Sequence, residues 1–135
     1  MLSHSCYSQD HIDARRAAVD DRVAAWRRLS AAVGDHAALG EFEPVFFTDL
    51  VLVLEGCFVH RGRDVEGEDG NALTEVRVLA ASLRSGGRVL ADRELRYHPG
   101  HSVLGHHVGD EIVLREADFV ALAKAFFAEL EARYL

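Results

Sequence analysis

Titratable and metal-binding side chains concentrate in two stretches of this sequence. The first is RGRDVEGEDGN, a polar, glycine-rich segment between apolar runs. Counting from Asp64, acidic residues stand at Asp64, Glu66 and Glu68, and Glu75 follows eleven residues after the start. Oxygens at alternate loop positions, closed by a final carboxylate, are what a helix–loop–helix calcium site requires. Such a site also requires a sharp turn at its sixth position, normally glycine. Asp69 stands there instead, and Gly70 comes one residue late. A solvated acidic turn is the plainer alternative.

The same segment is bracketed by mixed charge. His60, Arg61 and Arg63 close the apolar run before it, and Glu75 and Arg77 open the next. If the flanking helices pack antiparallel, these side chains gather at one end of the molecule. They would then form an anion-binding or acid–base pocket with His60 as its titratable group, or a salt-bridge network that fixes the turn. The second stretch holds His98, His101, His106 and His107. Neutral imidazoles bind zinc, nickel and copper. The spacing of His98 and His101 would allow chelation on a helix, but Pro99 and Gly100 oppose one there. No cysteine lies nearby to complete a closed structural zinc site, and exposed loop histidines are the alternative. The metal candidates are therefore Asp64, Glu66, Glu68, Glu75, His98 and His101.

Asp49 and Glu55 interrupt an otherwise apolar run, where buried carboxylates need partners. A di-metal bundle would supply them through Glu-x-x-His motifs, and the sequence has none. A polar helix edge, or pairing with arginines of the first helix, is expected instead. There is no nucleophile elbow, no glycine-rich phosphate loop and no Cys–His motif, and no cofactor is assigned.

Four helices must position these residues. Ile12, Val19, Val23, Trp26 and Val33 share one face of a first helix, with Leu29 beside them, Asp10 as its cap and Gly34 as its stop. Residues 36–43 read as a connector. Pro44 suits the first position of a second helix, Val45 to Arg61, that is apolar nearly all round. Asn71 caps a third, Ala72 to Arg84, with Leu73, Val76, Ala80 and Leu83 facing inward. The last runs from Glu116 to Tyr134 with a stripe of Phe119, Leu122, Ala123, Phe126, Phe127 and Leu130. Between them, residues 88–114 form a long connection with candidate short strands at Arg93 to His98 and Glu111 to Leu114. The expectation is an all-α, four-helix bundle: residues 1–9 as a flexible N-terminal tail and 10–135 as a single helical domain.

Of the 135 residues, 49% are hydrophobic, which argues against disorder as the overall state. The net charge of -7 argues against nucleic acid and against an anionic membrane surface as partners. Two cysteines, Cys6 and Cys57, read as free thiols in a reducing compartment. The start MLSHSCYSQDH has neither the basic nor the apolar region of a signal peptide, and no apolar run is long enough to span a bilayer, so a cytoplasmic protein is expected.

The block FFTDLVLVLEGCFVHRGRDVEGEDGNALTEVRVL, with SVLGHHVGDEIVL and the closing ADFVALAKAFFAELE, resembles a family of small uncharacterised bacterial helical proteins. The resemblance covers residues 45–131. It implies a stand-alone bacterial protein; the family carries no assigned activity, so no residue receives a role from it. The expectation is a non-enzymatic helical protein acting through self-association, as a homodimer, or through a protein partner. The alternative is a metal- or small-ligand-binding bundle with its site at the loop between the second and third helices.

Overall fold

The structure is a computed structural model and describes residues 3–91 and 96–135. It is all-α. The helices are α1 (Gln9–Val33), α2 (Ala37–Cys57), α3 (Arg63–Glu66, a single turn), α4 (Ala72–Arg84) and α5 (Glu116–Tyr134). α2 and α5 form the central pair, and each packs on both α1 and α4. Phe47, Leu54, Leu73, Leu79, Phe119, Phe126 and Leu130 are fully or almost fully buried among them. α1 turns one apolar stripe, Ile12, Val19, Val23 and Trp26, toward this pair, whereas α4 is buried on nearly all sides.

Local chemistry sets the helix ends. Ser8 caps α1, its Oγ accepting from the His11 N–H at 3.1 Å, so the helix begins one residue before Asp10, which sits in the first turn. Asn71 caps α4 as expected, its Oδ1 accepting from the Leu73 N–H at 2.9 Å. At α5 the Asp118 carboxylate reaches back to the N–H of Arg115 at 2.9 Å.

α2 differs most from expectation. It starts at Ala37, so residues 37–43 are helix and not connector, and Pro44 lies inside it. His36 caps it through Nδ1, which accepts from the Ala38 N–H at 3.0 Å. Proline has no N–H to give the carbonyl of Gly40, one turn back. That carbonyl accepts from the Arg115 guanidinium at 3.3 Å, and Arg115 also pairs with Glu43 at 2.9 Å. The missing helical bond is thus replaced from α5. α2 also ends early, at Cys57, and the turn that follows swings Arg61 inward instead of leaving it on a helix end.

The long connection is held by single contacts. Arg88 and Glu111 form an isolated antiparallel bridge, and Ile112 and Leu114 are buried. The expected strand Glu111 to Leu114 is therefore one bridged residue. The expected strand Arg93 to His98 lies largely outside the described residues. Pro99–His101 is one 3-10 turn. Within the stretch expected as a tail, the His4 N–H donates to the His60 carbonyl, the Gly62 N–H donates to the His4 carbonyl, and the Tyr7 N–H donates to the Tyr134 carbonyl, each at 2.7 Å.

A proline inside a helix costs about 3 kcal/mol when nothing replaces the lost bond. Pro44→Ala is therefore expected to raise the urea midpoint, by clearly less than that figure, because Arg115 already serves Gly40. A lowered midpoint would mean that the proline's rigidity outweighs the missing bond.

Candidate functional site

The charged residues flanking the glycine-rich loop do converge, but inward. Arg61 is 2% exposed and lies at the centre. It donates to the Glu55 carboxylate at 2.7 Å, to Glu66 at 2.8 Å, and to the carbonyls of Leu73 at 2.7 Å and Phe58 at 3.1 Å. Its guanidinium lies over the Phe126 ring, 5.2 Å from the centroid. Arg77 pairs with Glu66 from the other side at 2.9 Å, and the Thr74 hydroxyl donates to the same carboxylate at 3.3 Å. Two cations and two carboxylates thus cancel in a dry setting. Burial pushes the Glu55 carboxyl above its ordinary range, against the opposing pull of Arg61.

The N-terminal segment seals this cluster. His4 brackets the backbone of residues 60–62, and the Tyr7 ring meets Phe58 edge-on at 5.0 Å and Tyr134 at 5.5 Å. The Tyr134 hydroxyl donates to the Gly62 carbonyl at 2.6 Å, and burial raises its pKa to about 12. Space is tight at Gly62: a Cβ would stand 3.2 Å from the His4 carbonyl and would displace the exposed Asp64 carboxylate, 2.9 Å away.

Glu75 serves a separate purpose. It is fully buried, and its two oxygens accept from the N–H groups of Val103 at 2.7 Å and Leu104 at 3.0 Å. It thereby pins the tip of a loop whose two ends the Tyr97 hydroxyl ties together by donating to the His106 carbonyl. Burial raises the Glu75 pKa, opposed by those two N–H donors and by nearby His106, whose buried Nδ1 has no hydrogen-bond partner.

The expected calcium loop is accordingly corrected. Residues 63–66 are helical, Glu66 turns inward to two arginines, Glu75 turns inward to the histidine-bearing loop, and Asp64 and Glu68 stay at the surface. Asp69, at the position that would need glycine, pairs with Arg133 at 2.8 Å; hydrogen bonds from Asn71 and Arg133 lower its pKa. His98 and His101 bring their rings within 5.5 Å, both exposed. Among the described residues, no three His, Cys, Asp or Glu side chains are placed to hold a metal ion.

The expected anion pocket meets the same arrangement. Arg61 and Arg77 are engaged by carboxylates inside the molecule, and His60 and Arg63 lie exposed at its surface. Glu55 pairs with Arg61 and not with an arginine of α1, and Asp49 is exposed. Glu55 as a member of this cluster was the residue missed; its only sequence signal is a lone carboxylate in an apolar helix six residues before an arginine. Cys6 and Cys57 are free, and burial raises the Cys57 pKa.

Compared with models of known protein families, with curated proteins and with solved structures, the chain matches none.

Removing one member of a buried ion cluster strands the others. Arg61→Ala is expected to cost about 3–5 kcal/mol in urea unfolding at neutral pH, because two buried carboxylates lose their main partner. A loss under 1 kcal/mol would place Arg61 in contact with water. For Glu75 the sign runs the other way from an ordinary surface carboxylate. Its folded pKa lies above the ordinary value of 4.5, so the folded chain holds the proton more tightly. Its contribution is full below that value and is lost as pH rises through the folded pKa. The stability of the wild type relative to Glu75→Gln should therefore fall as pH rises across this window; a difference that stays flat or grows would refute it.

Proposed function

We propose that this protein is non-enzymatic and acts by self-association, its partner being a second copy of the same chain. The observation that carries the proposal is the position of α1. It lies on α2 and α5 along one side, and its flank toward α2 keeps exposed apolar side chains. Toward α5 there is a groove of about 510 Å³ whose rim carries Arg16, Asp20, Arg27, Lys124 and Glu131, with Val19, Val23, Phe119 and Phe127 buried beneath. Toward α2, Leu29, Val33 and Phe42 form a patch in which each is 44–47% exposed. A group of exposed apolar side chains beside a helix of this kind supports an association surface.

The internal use of Arg61, Glu66, Glu75 and Arg77 weighs against the rival, a metal- or ligand-binding site at the 62–77 loop end. Among the described residues, no helix is long and apolar enough to cross a membrane. A reducing cytoplasm is the setting proposed with this function, from the two free thiols.

Sedimentation velocity of the untagged chain across the micromolar range tests the proposal. The expected result is a species of twice the chain mass that dissociates on dilution. A single monomeric species at every concentration would overturn it.

A further inference from the structure

The self-association reading leaves open which flank of α1 meets the second copy, and the charges beside the α5 groove distinguish the two. α1 and α5 run antiparallel, as the ion pairs near the groove's ends show: Arg16 with Glu131, and Arg27 with Glu116 at 2.7 Å. Asp20 and Lys124 line the same groove between those pairs. Measured from the two bridges, they stand within about one helical turn of the same height. Lys124 is the only lysine of the chain. Both side chains are exposed, and neither makes an ion pair or side-chain hydrogen bond among the described residues. Read in the same direction, α1 carries plus, minus, plus at Arg16, Asp20 and Arg27. α5 carries minus, plus, minus at Glu131, Lys124 and Glu116.

We infer that a second copy docks on the α1–α5 face, related by a two-fold axis that runs along the groove. Such an axis lays the α1 of one copy over the α5 of the other at the same heights and with the same antiparallel sense. Each plus of one row then meets a minus of the other, and Asp20 and Lys124, idle within the protomer, find each other across the interface. The result is an antiparallel four-helix contact held by the facing charge rows. A partner of uniform charge would be repelled by part of either row. The charge pattern therefore favours a copy of the chain itself, and like-charge contacts disfavour other registers. The inference rests on the self-association reading and adds its geometry.

The test is a charge exchange read by sedimentation equilibrium at low salt, on the full chain. Asp20→Lys and Lys124→Asp are both surface changes, and circular dichroism would confirm that each variant keeps its helices. Each single change should weaken the dimer roughly tenfold, because two symmetry-related pairs become like-charged at once. The double variant, Asp20→Lys with Lys124→Asp, should regain most of the lost affinity. A dimer indifferent to the single changes, or a double variant no better than the singles, overturns the inference. If in that case Phe42→Glu dissociates the dimer, the α1–α2 patch is the interface, and self-association stands while this geometry falls. A wild-type chain that is monomeric throughout removes both.

Discussion

The guanidinium of Arg61 organises more of this protein than any other group. It is taken out of water and given back five contacts: two carboxylates, two carbonyls and the face of a ring. Those partners come from α2, the turn after it, α3, α4 and α5, so every helix except α1 is tied to one charge. A buried ion cluster of this sort adds little net stability over a well-packed apolar one, because desolvation offsets most of the attraction. What it adds is intolerance of error. A chain with α3 or α4 misplaced by one turn would bury a charge without its partner.

This accounts for the way polar groups are distributed. The loop end holds the buried charge, and its carboxylates and arginines are occupied with one another. The other face of the molecule, along α1, holds the side chains with apolar surface and charge to spare. The proposed association surface and the core that specifies the fold lie apart, with α1 linked to the rest by apolar packing and a few ion pairs at its edges.

Most of the fold was legible in the sequence because α1, α4 and α5 repeat their apolar residues at helical spacing and end at recognisable signals such as Asn71 and Gly34. α2 was legible only in its second half. Pro44 reads as a helix start, since nothing local reveals that Arg115, 71 residues later, would serve the carbonyl that the proline leaves open. The membership of the loop-end cluster was also partly legible: Arg61, Glu66 and Arg77 stand out by type and spacing, whereas Glu55 does not. Their direction was not. A polar, glycine-rich segment reads as solvated, and only the arrival of partners from distant elements makes burial of four charges affordable. Asp20 and Lys124 were invisible for the opposite reason. Each is an ordinary surface residue on its own helix and acquires meaning only when α1 and α5 are set side by side.

The segment from His4 to Tyr7 closes the chain over the charge cluster, and its contacts are among the most distant in sequence, reaching from Tyr7 to Tyr134. Helical hairpins assemble from near neighbours, whereas contacts of such separation carry the largest loop-closure entropy and form late. Arg61 and its carboxylates therefore meet while water can still reach them. The seal follows, when the pairs already exist. Closure in that order would build a dry ion cluster without a state in which a bare charge is dry and alone.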